Sequence, residues 1–340
     1  MKKSVLFLSV LLMMAASCSK PQKTNLVNYK GTVQGSFFLI KFYAGTDSNT
    51  IKSSIDSLFV VIDQTASVFD SNSIISKVND NRETALNPHF IALFNKSQEV
   101  SAATGGCFDI TVGPLVKSWG FWKKQGLEMD KKKVDSLLLC VGYQKVRLVN
   151  TGKGSNLLKE NPCIMLDFNA IAQGYTADVI AEYFNKKGFS NYLVEIGGEV
   201  RAAGTKKDNT NWMVGIEKPA DSSNAEQVVY EKVELINKSL ATSGNSRKFF
   251  IKDGIKYSHT IDPATGYPVH HSLLSVTVMA DDCTSADAYA TAFMVMGLEK
   301  AKEFIKTHAG LEAYFIFSDS TGNLQDYKSA NFVTAGTATK

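Results

Sequence analysis

The chain carries almost none of the short motifs that mark a metal centre, a nucleotide loop or a nucleophile. None of its five cysteines stand as CxxC, which argues against a zinc knuckle or a thioredoxin-like site. HExxH is absent, and His89, His259, His270, His271 and His308 are not spaced as zinc ligands. No GxGxxG follows a strand pattern, and Thr151-Gly152-Lys153-Gly154-Ser155 lacks the earlier glycine of a phosphate-binding loop. Ser243-Gly244 does not sit in G-x-S-x-G. Any bound metal is therefore expected to be a hard cation on oxygen ligands, such as magnesium. Neither an internal repeat nor a linker breaks the chain. After the first twenty residues no long apolar run recurs, which excludes a polytopic membrane protein. A composition 44% hydrophobic and 21% charged excludes a disordered or collagen-like chain. The net charge of +4 over 340 residues is too small to argue for nucleic acid, and no basic cluster has aromatics interleaved.

What is present begins at the N-terminus. Lys2 and Lys3 precede an apolar stretch, Val5 to Met14, too short to span a bilayer. Ala15, Ala16 and Ser17 are small and Cys18 follows, which resembles a bacterial lipobox. That reading makes 1–17 a signal peptide, Cys18 a lipidated anchor and 18–26 a polar tether, with the protein membrane-anchored and facing the periplasm. Cys107, Cys140, Cys163 and Cys283 are read as four small buried residues, with pairing in an exported chain left as the alternative.

Periodicity gives the elements. Val27 to Phe42 reads as two strands around Gly35. Ile51, Ile55, Leu58, Phe59 and Ile62 fall at helical spacing over 48–67, and Pro88 opens a second helix. Residues 120–160 are polar and Lys-rich, read as a solvated excursion with one helix. Cys163 to Phe168 reads as a strand that leads through a loop into the helix of Tyr175, Val179 and Tyr183. Strands follow at Tyr192–Ile196, Trp212–Ile216, Val228–Leu235 and Ser275–Ala280. Helices come at 282–296 and 299–307, and a last pair of strands at Ala313–Phe317 and Asn323–Tyr327. Runs of strands with helices inserted irregularly predict an α+β fold with mixed or antiparallel sheets. One composite domain spans 27–330, followed by a polar tail, 331–340.

The chemistry lies in short polar and glycine-bearing segments at element ends. Asp109 stands inside an apolar run and needs a partner there. Gly197-Gly198 after a strand lets backbone N–H groups approach a ligand. Asp262-Pro263-Ala264-Thr265-Gly266 suits a tight turn and sets His259 at a strand end. Asp287 and Thr291, four apart, share a helix face, with small alanines that leave room for a ligand or ion. Taken singly each has a bland structural explanation: a surface carboxylate, a turn, a structural histidine.

In this order the segments resemble the ApbE family of FAD:protein FMN transferases. The matching stretches are FDITVGPLVKSWGF at 108–121, LDFNAIAQGYTAD at 166–178, LVEIGGEVRAAG at 193–204, WMVGIEKP at 212–219, ATSGNSRKF at 241–249, HTIDPATGYP at 259–268 and ADAYATAFMVMG at 286–297. The resemblance implies binding of FAD and Mg²⁺, transfer of FMN to a Thr or Ser hydroxyl of an exported partner such as an electron-transport subunit, and release of AMP. It implies Asp287, Thr291 and the Ala170 carbonyl as Mg²⁺ ligands and His259 as general base. Asp70, Asp109, Gln173, Gly197, Gly198, Ser243, Gly244 and Ile261 are the implied flavin-nucleotide contacts. Gln173 stands where the family usually has Lys, which removes a cation near phosphate, and the Met-Gly-Thr pattern is only loosely present near Gly31-Thr32 and Gly35-Ser36. The same motifs also suit an FAD pyrophosphatase giving FMN and AMP, or a flavin-binding lipoprotein without catalysis.

Overall fold

Alternating apolar residues build one large sheet. In Ser36–Ala44 the side chains of Phe38, Ile40, Phe42 and Ala44 are buried while their neighbours are more exposed. The computed structural model describes residues 24–335 apart from 83, 123–127, 153, 220–227, 246–248 and 253–254. The signal segment, Cys18, most of the tether and half of the polar tail lie outside the described residues. The sheet has eight strands: β1 (Asn25–Val33), β2 (Ser36–Ala44), β3 (Tyr192–Ile196), β4 (Glu199–Ala203), β5 (Ser239–Gly244), β6 (Leu273–Ala280), β7 (Glu312–Ser318) and β8 (Leu324–Lys328). They lie side by side in chain order, each antiparallel to the next. The β1–β2 hairpin turns through Gln34 and Gly35, both at positive φ (52° and 71°), as a two-residue loop requires.

One face of the sheet carries helices α1 (Ser48–Ala66), α2 (Pro88–Ala103), α3 (Ala172–Lys186) and α4 (Cys283–Met296). α2 starts where Asn87 accepts from Phe90 N–H and proline occupies the first turn, a strong N-terminal signal. Val276, Val278, Ala313 and Phe315 face this helical layer. Their strand neighbours Leu240, Tyr314 and Ile316 point the other way, onto the hairpin Trp212–Glu217/Val229–Leu235. Trp212 anchors that hairpin, its indole N–H donating 2.9 Å to the Ala203 carbonyl. No helix among the described residues is long and apolar enough to cross a membrane.

Most boundaries agree with the sequence to within two residues. Four expectations need correction. Residues 163–168 are not a strand: the segment makes one parallel bridge, Val112 to Met165. Its other backbone partners include the Asn79 side chain, which donates to Leu166 O (2.9 Å) and accepts from Leu166 N (2.7 Å), and Ile110 O, which accepts from Asp167 N (2.7 Å). A side chain serving as the neighbour leaves no trace in local periodicity. The 120–160 excursion holds, besides its helix Lys131–Leu138, a hairpin of Val146–Thr151 with Gly154–Lys159, and Thr151 to Gly154 close its turn. The alanines of α4 (286, 288, 290 and 292) are fully buried and bring the helix close to its neighbours, so they open no space. Cys140 and Cys163 form a disulfide, Cys163 being exposed; among the described residues only Cys283 is a buried free thiol, with Cys107 half-buried.

The disulfide ties the end of the Lys131–Leu138 helix to the 163–170 loop across a separation of 23 residues. Closing a loop of this length stabilises by about 3 kcal/mol. The double variant Cys140→Ser/Cys163→Ser is expected to lose about that much in chemical denaturation, with a somewhat larger m-value because the unfolded chain is no longer cross-linked. A loss below about 0.5 kcal/mol would show the bridge to be energetically idle.

Candidate active site

Between the helical layer, the sheet and the 104–122 segment lies a cleft of about 1980 Å³. That exceeds the ~300–1,000 Å³ of ordinary small-ligand sites, leaving space for a large ligand and a second reactant. Ala170, Gln173, Gly197, Gly198, Ser243, Gly244, His259, Ile261, Asp109, Asp287 and Thr291 all line it. Segments spread over nearly two hundred residues thus converge on one surface.

The floor is set where α3 crosses α4. Gly174 lies so close to α4 that an added Cβ would sit 2.8 Å from both the Cys283 carbonyl carbon and Asp287 Cβ. Its N–H donates 3.0 Å to Asp287 Oδ2, fixing a carboxylate that is 6% exposed. One turn on, Thr291 Oγ1 lies 3.0 Å from Ser243 Oγ at the end of β5. The pair therefore shares a face, as the spacing predicts, and that face is the cleft. Among the described residues no group of three His, Cys, Asp or Glu side chains can hold a metal. The donors at hand are one carboxylate, one hydroxyl and the Ala170 carbonyl. This all-oxygen set fits a hard cation that keeps water and takes phosphate oxygens for its remaining positions.

The wall opposite is held by buried acids. Asp109 accepts from Thr111 N–H (2.7 Å), Thr111 Oγ1 (2.6 Å) and Tyr143 N–H (2.7 Å), which supplies the partners its apolar setting demands. Burial pushes its carboxyl up, and these hydrogen bonds oppose the shift. The carboxylate is thus spent on joining 109–111 to 142–143, and it meets the cleft as a brace. Asp167 accepts from Trp122 Nε1 (2.7 Å) and Asn169 N–H (2.7 Å), shaping the loop that presents Ala170. Gly113 packs against the Met165 carbonyl, an approach that leaves no space for a side chain.

His259 follows the strand Ile255–Ser258 and reaches the cleft beside Phe121, ring centroids 6.5 Å apart. The turn after it forms as the sequence predicts. Gly266 N–H donates to Asp262 O (2.8 Å), and the Asp262 carboxylate accepts from Ala264 N–H (2.9 Å) and Thr265 Oγ1 (3.1 Å). Trp119 Nε1 locks the turn through the Gly266 carbonyl at 2.9 Å. Gly197 and Gly198 both take positive φ (69° and 112°). The Gln173 amide lies against the open face of Gly197, whereas a Cβ on Gly198 would meet nothing within 4 Å. Gly198 is therefore the point of the pair where a ligand can come nearest the backbone.

Asp70 is not brought to the cleft. It is exposed and accepts from Asn72 N–H (2.8 Å) in a local turn, while Ser67 and Phe69 of the same segment do line the cleft. Residues that sequence reasoning passed over include Glu195, whose carboxyl burial pushes up, and Trp122, Asp167 and Asp178. Asp167 and Asp178 stand inside the quoted 166–178 stretch, where an acid in an apolar context was the available signal.

The ApbE family model matches residues 34–315. A Vibrio cholerae (serotype O1, strain O395) protein named FAD:protein FMN transferase is 31% identical over 329 residues, covering 94% of this chain and 95% of its own length. One of that name from Escherichia coli K12 is 34% identical over 306 residues, covering 88% of this chain and 86% of its own. Among solved structures, the flavin transferase ApbE from Vibrio cholerae superposes with a TM-score of 0.79 at 31% identity, covering 91% of this chain and 99% of that one. The apo Pseudomonas stutzeri flavinyl transferase ApbE gives 0.78 at 29%, covering 90% and 95%.

Gly174→Ala tests the crossing. The added methyl must push α3 from α4, and overpacking of this kind costs about 1–3 kcal/mol. Thermal melting is expected to shift down by several degrees, whereas Gly152→Ala, with open space around its Cα, leaves the melt unchanged. Equal melts for the two variants would contradict the packing described.

Proposed function

The chain belongs to the ApbE family, and we propose that it transfers FMN from FAD to a Thr or Ser hydroxyl of a partner protein, releasing AMP. The observation that carries this reading is the convergence of Asp287, Thr291, Ala170, His259 and the Gly197-Gly198 turn on one cleft large enough for FAD and a segment of polypeptide. The acceptor Oγ forms a bond to the FMN phosphorus, the bond from that phosphorus to the bridging oxygen breaks, and AMP leaves with that oxygen. A ring nitrogen of His259 takes the hydroxyl proton, a role suited to imidazole near neutral pH. Asp287, Thr291 and the Ala170 carbonyl are the residues that would hold Mg²⁺. Bound there, the ion would neutralise pyrophosphate charge in a reaction governed by positioning and electrostatics. Gln173 would offer the phosphates a hydrogen bond but no charge, so a bound cation would have to supply the neutralisation there.

His259→Ala is expected to bind FAD with near-wild-type affinity and to lower the chemical step by roughly two to four orders of magnitude. FAD titration beside single-turnover FMN transfer to an acceptor peptide across pH 5–9 separates the roles. A base mutant loses the acid limb of the pH–rate profile. If the loss is explained wholly by weaker FAD binding or a lower melting temperature, His259 only braces the Asp262 turn.

The N-terminal pattern supports a lipid-anchored protein on the periplasmic side of a membrane, acting on exported partners. Cys18→Ser is expected to give an uncleaved or soluble form on membrane fractionation. Partitioning of that variant with membranes, with acyl chains attached by mass spectrometry, would overturn the anchor.

A further inference from the structure

The two ligands on α4 are only as well placed as the helix that carries them, and the start of that helix is held in an unusual way. A helix leaves its first N–H groups without intrahelical acceptors. In α4 three of them, on Cys283, Thr284 and Ser285, go to two carboxylates. Asp282, the N-cap, accepts from Ser285 N–H (2.7 Å) and Ser285 Oγ (2.8 Å). Asp178 reaches across from α3 and accepts from Cys283 N–H (2.9 Å), Thr284 N–H (2.8 Å) and Thr284 Oγ1 (2.6 Å).

Asp178 is largely buried, its side chain 16% exposed, and the Arg201 guanidinium stands 4.0 Å away. A carboxylate in such a place persists only when its hydrogen bonds are made. It lies one helical turn after Gly174, whose N–H holds the Asp287 carboxylate. α3 therefore grips α4 at two points one turn apart, at Thr284 and at Asp287. Sliding α4 by one residue would swing Asp287 by about 100° around the helix axis, out of the cleft. Such a rotation would break the Gly174 and the Asp178 contacts together, so the two grips hold one register.

We propose that Asp178 is a positioning residue for the cation site: by fixing the first turn of α4 it aims Asp287 and Thr291 into the cleft, though it touches neither the ion nor the substrate. This rests on Asp287 and Thr291 being cation ligands, as assigned above. Removing the support of a metal ligand typically weakens the metal by about 10- to 100-fold, and the lower end applies to a residue that acts through a helix.

The test is a Mn²⁺ titration of the purified protein without FAD or acceptor, following the free-ion signal by electron paramagnetic resonance. Asp178→Asn is expected to raise the Mn²⁺ Kd about tenfold. Thr284→Val, which removes only the hydroxyl contact, is expected to raise it less, and Asp287→Ala to abolish site binding. Trp212→Phe, in the core on the far face of the sheet, is expected to lower the melting temperature and leave the Kd unchanged. A wild-type Kd in Asp178→Asn, or an equal weakening in Trp212→Phe, overturns the proposal. Should Asp178→Asn fold poorly, Thr284→Val carries the test, and an unchanged Kd there overturns it too. Wild-type protein with no Asp287-dependent Mn²⁺ binding overturns the proposal together with the metal assignment. Failure of FMN transfer with normal Mn²⁺ binding would bear on the proposed reaction alone.

Discussion

The position of nearly every group in the cleft traces back to a contact that admits no side chain. At Gly174 the backbone of α3 comes so near α4 that a single carbon would collide with it. The approach is possible because Gly174 has no side chain, and it is fixed because the Gly174 N–H and the Asp287 carboxylate meet there. From that point the geometry spreads outward. Ala170 and Gln173 stand just before and at the start of α3, so they are placed with it. The Gln173 amide lies against Gly197, whose own N–H donates 2.8 Å to Phe37 O on β2. Thr291, one turn along α4, meets Ser243 on β5. Sheet and helices are thereby registered to each other through the site itself.

Buried acids do much of the remaining fastening. Asp109, Asp167 and Asp178 each use their oxygens to collect N–H or O–H groups from a neighbouring segment. Each costs desolvation and is stable only with its partners in place. Asp109 and Asp167 are thus committed groups of the cleft wall, and Asp287, Thr291, Ala170, His259 and Gly198 line the same cleft.

How much of this could be read from the sequence depends on the range of the determining interaction. The Asp287–Thr291 pair was legible because four residues along a helix is a local relation. The His259 turn was legible because Asp-Pro-x-x-Gly closes on itself. The helices and main-sheet strands followed from periodicity. What could not be read depends on partners far along the chain. Residues 163–168 look apolar enough for a strand, yet their backbone is paired by Asn79, over eighty residues earlier. The Cys140–Cys163 pairing needs the fold to bring the two thiols together. Asp70 lies in a segment that does reach the cleft, but its carboxylate is satisfied two residues away at Asn72. The alanines around Asp287 signal small volume in either case, and only the packing decides whether that volume is empty or filled by a neighbouring helix.

The sheet runs in chain order, yet its second and third strands are separated by almost the whole helical layer. β2 ends at Ala44 and its partner β3 begins at Tyr192, so this pairing must close a loop of roughly 150 residues, whereas β1–β2 closes through two. That pairing has the longest sequence separation in the sheet, and long-range pairings of this kind slow folding. A chain emerging from its N-terminus presents the sequence Phe37-Phe38-Leu39-Ile40-Lys41-Phe42-Tyr43 with one edge paired to β1 and the other open until residue 192 has followed. An apolar strand with a free edge is a template for pairing with other chains. The same connectivity that lets distant segments meet in one cleft thus makes the nascent protein dependent on whatever shields β2 during the interval.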